Sequence, residues 1–331
     1  MAGDQIWPGK LLGPEPTNAS NARLARFHRP IFGAIDAPDT EIDFFSLQNE
    51  VGLCGQAVFT SVRGVSHRIH GLPRQDSGLI TRATVGGHEA VVLVVADGVS
   101  SAENSHIGSK LASKSAVDYL QTIEEMNDSE WERISGELAR FVSSQLDARA
   151  SSTNILPSSL STTLKVAVVT DTGLGQVVYC MTVGDGLMLR VLNGKPFHLL
   201  KVEPEGRDAL VLTTNSLPAA QPSVFVNISS TRYEEVIAIM TDGVEEIWQY
   251  GEGLGNFLDQ EEIDALELAW RVDIDEEAVG DDRTIAIWRS HRLSVDQVAL
   301  ENSVELINSV NATEESDCNS QEFGKLDSPE E

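Results

Sequence analysis

Eight short runs rich in Val and Ile recur through the middle of the chain, at 58–62, 90–96, 164–170, 177–183, 187–192, 224–228, 236–241 and 284–288. Each has strand length, and turn residues bound most of them. Asn193-Gly194 closes one run, a strong hairpin signal because the tightest hairpin turn needs a left-handed backbone at both positions. Gly173 and Gly175 separate two others. Two helical segments follow the second run. In the first, Ile107, Leu111, Ala112, Tyr119, Leu120 and Ile123 fall on or near one face. In the second, Trp131, Ile134, Leu138, Phe141, Val142 and Leu146 repeat at three and four residues. Asp128 or Ser129 stands where a cap belongs. A third helix is predicted over 261–271, burying Ile263, Leu266 and Trp270. Regular strand–helix alternation is missing, which disfavours a doubly wound parallel sheet. The order predicts an α+β fold of mostly antiparallel sheets covered by helices.

The ends read differently. Pro8, Pro14, Pro16, Pro30 and Pro38 punctuate residues 1–55, so that stretch reads as an irregular extension. Residues 291–331 are rich in Glu, Asp, Ser and Asn and read as a disordered acidic tail, with a short helix over 293–307. The folded domain is then 56–290. The start, MAGDQIWPGKLLGPEP, has no apolar run and is not a secretion signal. No stretch reaches the ~18 apolar residues that span a bilayer. Cys54, Cys180 and Cys318 are far apart and match neither a disulfide framework nor a zinc site. A reducing, cytoplasmic setting is the simpler reading. The net charge of -27, from 51 acidic and 24 basic residues, repels nucleic acid and anionic membranes. Solubility accounts for most of that acid; a minority of it is available to bind metal.

Three strand rims carry carboxylates. VVLVVADG ends in Asp97-Gly98, VIAIMTDG ends in Asp242-Gly243, and Asp281-Asp282 precede TIAIW. An Asp-Gly pair is also an ordinary turn. Three acidic rims on buried strands are harder to assign to turns alone. Oxygen ligands of this kind suit magnesium or manganese, and the lack of His or Cys clusters argues against zinc.

Six blocks in order give a more specific resemblance: FTSVRGVSHRIHGLPRQDSG, VVLVVADGVSSAENSHIGSKLAS, LSTTLKVAVV, VYCMTVGDGLMLRVLNG, VIAIMTDGVEEIW and GDDRTIAIW. Together they resemble the metal-dependent protein phosphatase 2C family in its bacterial form, over about residues 56–289. The resemblance implies an antiparallel β-sandwich flanked by helices, in α-β-β-α layers. It implies hydrolysis of phosphoserine and phosphothreonine in proteins, with two or more Mn2+ or Mg2+ ions and a metal-bridging hydroxide attacking phosphorus in line. Asp97 resembles the aspartate that bridges two metals, and Gly98 the residue whose carbonyl binds one of them. Asp242 and Asp281 look like first-metal carboxylates. Asp76, beside Gln75, looks like an acid that orders the shell. Thr162 and Thr163 fit a buried strand start, and Gly184, Asp185 and Gly186 a structural turn.

Two departures stand out. Gln75 stands where eukaryotic members carry a glutamate ligand, and an amide binds metal more weakly. Val99, Ser100 and Ser101 replace a His-Gly-Gly run, so a histidine proton donor is lost. Arg63, Arg68 and Arg74 compete to hold the substrate phosphate, and Arg68 is favoured. His67, His70 and His106 receive no catalytic role. The implied partner is a phosphoprotein opposed by a serine/threonine kinase, and the chain is expected to be a monomer. Two other readings stay open: a weakly active phosphatase-like binding or regulatory module, and a hydrolase of small phosphoesters.

Overall fold

The computed structural model describes residues 42–49, 55–171, 175–200, 215–250, 252–260, 262–273 and 280–291. They lie in the first of two compact units, Met1–His291. The second unit, Arg292–Glu331, lies outside the described residues, and with it the predicted tail helix and acidic tail.

The strands are β1 (Ile42–Asn49), β2 (Gly55–Val62), β3 (Ser77–Val85), β4 (His88–Ala96), β5 (Leu164–Asp171), β6 (Gln176–Val183), β7 (Leu187–Leu192), β8 (Lys195–Leu200), β9 (Phe225–Thr231), β10 (Val236–Met240) and β11 (Arg283–Ser290). The helices are α1 (Val65–His70), α2 (Ser105–Leu120), α3 (Trp131–Thr153), α4 (Asp242–Tyr250), α5 (Glu252–Leu258) and α6 (Ala265–Val272), with a 3-10 turn at Pro157–Leu160. A six-stranded sheet runs β1-β2-β11-β10-β7-β8, and a five-stranded sheet runs β3-β4-β5-β6-β9. Every neighbouring pair is antiparallel.

The continuous apolar runs follow from burial on both faces. In β4, Val92, Val94 and Ala96 pack against α2 and α3. Val91, Leu93 and Val95 point the other way, toward Ile237, Ile239, Ala286 and Trp288 of the facing sheet. In β10, Val236, Ala238 and Met240 face residues of α4, α5 and α6. The result is the α-β-β-α arrangement. Each fully buried Val or Leu contributes about 1.5–3 kcal/mol, so these three apolar layers dominate the stability.

Local chemistry explains where the sequence reading needs correction. The stretch read as irregular over 1–55 contains β1, paired with β2 from Ile42↔Val62 to Asn49↔Gly55. The prolines stop at Pro38, and Ile42, Phe44, Phe45 and Leu47 follow within a proline-free segment. Strand β3 went unread because Thr81, Arg82 and Thr84 interrupt its apolar pattern. Strand β8 went unread because of Pro196, which an edge strand tolerates. The Asn193-Gly194 hairpin is present between β7 and β8, with φ of 50° and 69°. Helix α6 starts at Ala265, inside the predicted 261–271, because the Asp264 carboxylate accepts from the Glu267 N–H at 2.7 Å.

Neither Asp128 nor Ser129 caps α3. Asp128 accepts from the Tyr179 hydroxyl at 3.0 Å. The helix has no side-chain cap; Asn127 Oδ1 instead closes the turn that precedes it, accepting from the Ser129 and Glu130 N–H groups at 3.0 and 3.2 Å. Asn127→Ala is therefore expected to destabilise the protein by about 0.5–1.5 kcal/mol, the usual net worth of an intramolecular hydrogen bond. Urea titration checks this; an unchanged midpoint would show that water replaces the amide without cost.

Candidate metal centre

Strand register brings the acidic rims together. Met240 pairs with Ile285 and Arg283 with Val62, so the end of β10, the start of β11 and the end of β2 lie side by side. That sets Asp242, Asp281, Asp282 and Gly64 on one edge of the six-stranded sheet. In the other sheet Ser77 pairs with Ala96. Continuing that register by one residue sets Asp76 opposite Asp97.

Two contacts join the edges. The Thr241 hydroxyl donates to Asp76 Oδ2 at 2.9 Å. The Gln75 N–H donates to Asp282 Oδ2 at 2.5 Å. The backbone of Asp97 is fixed from the other side. The Thr163 N–H and the Thr162 hydroxyl donate to its carbonyl at 2.7 and 2.9 Å, and its N–H donates to Thr163 Oγ1 at 3.1 Å. Gly98 leaves no room for a side chain, since a Cβ there would lie 2.8 Å from the Gln75 carbonyl oxygen and the Ser105 Cβ. Gly243 opens α4 rather than a turn; a Cβ on it would collide with the Asp282 carbonyl oxygen.

The crowding shows in the acidities. Burial, then the charges of Asp282 and Asp281, pushes Asp76 up to about 8. Burial, then the charges of Asp76 and Asp242, holds Asp97 well above the usual carboxylate range. Burial, then Asp282 and Asp242, lifts Asp281 to about 6. Asp76 and Asp97 also share a hydrogen bond, which between two carboxyls requires a proton. Asp282 behaves oppositely. Burial raises it, but hydrogen bonding to His67 and to the N–H groups of Gly64 and Gln75 outweighs that and holds it below the usual value. His67 Nδ1 lies 2.8 Å from Asp282 Oδ1. Burial lowers the His67 pKa, and the Asp282 contact more than reverses this, leaving it raised.

The donor set fits divalent cations. Asp242 Oδ1 and Gln75 Oε1 are buried acceptors without a hydrogen-bond donor. Unsatisfied oxygens among crowded carboxyls that raise one another's pKa are what bound cations would relieve. Among the described residues, the one grouping of three acidic or histidine side chains whose ligand atoms all lie within 4.8 Å of one another is His67, Asp281 and Asp282. Both Asp282 oxygens are already engaged, so that residue reads as an anchor for the β11 edge.

Asp76, Asp97, Asp242 and Asp281 are close enough to perturb one another's acidity, and the Gln75 carbonyl lies against Gly98. Arg68 requires a correction. Its guanidinium is buried and pairs with Asp273, the residue just after α6, at 2.6 Å, so it is tied to the end of that helix. Arg63 and Arg74 are buried too, donating to the carbonyls of Leu72 and of Ser61 and Asp76. Gly184 and Gly186 form a positive-φ turn around an exposed Asp185. Sequence reasoning gave no role to His67, although its place within the first block was visible, and it left Asp282 and Thr241 without assignments.

The family model described as Protein phosphatase 2C matches residues 63–270, more than half of the chain. A bacterial serine phosphatase crystal structure is similar in fold, with TM-score 0.54 and 13% identity over 72% of this chain and 98% of that one. The serine/threonine phosphatase of S. agalactiae aligns with TM-score 0.51 and 14% identity, over 75% of this chain and 99% of that one. Among curated proteins none matches the chain in sequence. Two antiparallel sheets between helices are the fold that this chain shares with those solved phosphatases. The chain belongs to the protein phosphatase 2C family, whose members are serine/threonine protein phosphatases. Phosphoproteins are the substrate class that the family implies. No helix among the described residues is long and apolar enough to cross a membrane.

Proposed function

We propose that the chain hydrolyses phosphoserine and phosphothreonine in proteins at the Asp97–Asp242–Asp281 cluster, with two Mn2+ or Mg2+ ions, as a monomer opposing a serine/threonine kinase. The observation that carries this reading is the pair of orphaned buried acceptors, Asp242 Oδ1 and Gln75 Oε1, among raised-pKa carboxyls. Asp97, the Gly98 carbonyl, Asp242 and Asp281 are the proposed ligands, and Asp76 and Gln75 complete the shell. When bound, such ions supply a water acidic enough to ionise near neutral pH and stabilise the attacking and leaving oxygens. Thr162 and Thr163 hold the Asp97 backbone, and Thr241 aims Asp76. Asp282, neutralised by His67 and two N–H groups, fixes the strand edge that carries Asp281. Arg68 is left out of phosphate binding because of its ion pair with Asp273.

Convergence of the carboxylates favours an enzyme over a binding module. The test compares a phosphothreonine peptide with a small aryl phosphate at matched Mn2+. A kcat/KM at least tenfold higher for the peptide is expected. Preference for the small ester would place the substrate elsewhere, and tight peptide binding without turnover would support the regulatory module.

A further inference from the structure

The block LSTTLKVAVV puts a lysine inside the sandwich. Lys165 is only 1% exposed, although its strand is otherwise apolar between Leu164 and Val169. Strand alternation fixes its direction. Leu164, Val166 and Val168 face the helices, whereas Ala167 and Val169 face the opposite sheet, so Lys165 faces that sheet too. Lys165 pairs with Val95 across β4. Asp97 lies two residues beyond Val95, and its backbone continues the same register with Thr163. Lys165 and Asp97 are therefore diagonal neighbours on one face, a spacing of about 7–8 Å that long side chains bridge.

The far end of the side chain is located as well. A Cβ on Gly186 would lie 2.5 Å from Lys165 Nζ and 2.8 Å from the Met240 carbonyl oxygen. The absent side chain of Gly186 thus makes room for the ammonium, next to the residue that precedes Thr241. Thr241 holds Asp76. A buried ammonium is costly unless opposite charge or hydrogen bonds compensate it, and Asp97 lies on the same face of the sheet.

We propose that Lys165 is an internal cation of the metal centre, placed under Asp97 and Asp76 to offset part of the carboxylate charge. It acts through the carboxylates rather than on the substrate, and the proposal rests on the metal reading above. A fixed positive charge competes with a divalent ion for the same field. Lys165→Met, which keeps the length of the side chain, is expected to bind Mn2+ about tenfold more tightly, because a unit charge at such range repels the ion even with strong screening. The metal-free variant is expected to melt lower than wild type, and this loss is expected to shrink in an Asp97→Asn background.

Calorimetric Mn2+ titration and melting curves of the full chain, for wild type, the two single variants and the double variant, test this. A lysine that only fills space would lower the melting temperature equally in both backgrounds and leave Mn2+ affinity unchanged or weaker; that result overturns the proposal. If Lys165→Met alone does not fold, adding Asp97→Asn is expected to restore folding, and a double variant equally unfolded is contrary evidence. Wild type that shows no Mn2+ binding would instead overturn the metal reading itself.

Discussion

Asparagine at Asp97, Asp242 or Asp281 is expected to cut turnover on a phosphothreonine peptide by about 10²–10³-fold or more in each single variant, the scale of losing a preorganised electrostatic group. The three residues are far apart in sequence, and register alone brings them to one rim. If they hold one metal cluster, a double replacement costs little more than a single one, because residues acting as a unit fail together. Stability separates this from a structural role. Asp242 Oδ1 makes no internal hydrogen bond, so that oxygen adds none to the metal-free fold. Removing one of several repelling carboxylates leaves the metal-free protein as stable or slightly more so. The rise in melting temperature caused by Mn2+ shrinks in every variant, by linkage of binding to folding. Ordinary turn aspartates would give the opposite pattern, with activity kept and the metal response intact. Steady-state rates with paired melting curves distinguish the two.

The pH response of the metal-free protein is the second large effect. Asp76 moves from an ordinary 3.8 to about 8 on folding, and Asp281 from 3.8 to about 6. Asp97 is raised as well. The folded state then holds protons that the unfolded chain has released. Stability from such groups is fully present below the unfolded pKa and is lost as pH rises through the folded pKa. In EDTA the melting temperature should therefore fall steadily from about pH 4 to about pH 8. His67, also raised, adds a loss of the same sign above its ordinary 6.5. Asp282, lowered, contributes stability that disappears only on acidification below the ordinary carboxylate range, outside this window. Saturating Mn2+ should flatten or invert the slope, because metal binds the deprotonated carboxylates. Asp76→Asn should make the EDTA slope shallower. A melting temperature that climbs with pH in EDTA would mean that these carboxyls are not held protonated by the fold.

The sandwich was legible because both faces of β4 and β10 are buried, which leaves unbroken Val and Ile runs in the sequence. The edges were not. Strands β3 and β8 carry Arg82, Thr84 and Pro196 at exposed positions, where a strand needs no apolar pattern. Helix α1 spans only Val65–His70, too short to show a period. At the site, Asp97 and Asp242 were readable because each ends an apolar run. Arg68 was misleading for a physical reason. Sequence places a guanidinium near the acid pair but does not say that Asp273 lies within 2.6 Å of it. The partnership of His67 with Asp282 was equally hidden, since 215 positions (282 − 67) separate them and only the β2–β11 pairing closes the gap. The position of Lys165 was visible, but its burial required the facing sheet.

The most direct measurement is turnover of a phosphothreonine peptide by chelator-stripped wild-type protein, before and after Mn2+ is restored, with Asp97→Asn alongside. Activity that is absent without the ion, returns with it, and stays absent in Asp97→Asn is the predicted result. Undiminished turnover in the stripped wild type, or normal turnover in Asp97→Asn, would contradict a metal centre built on these aspartates.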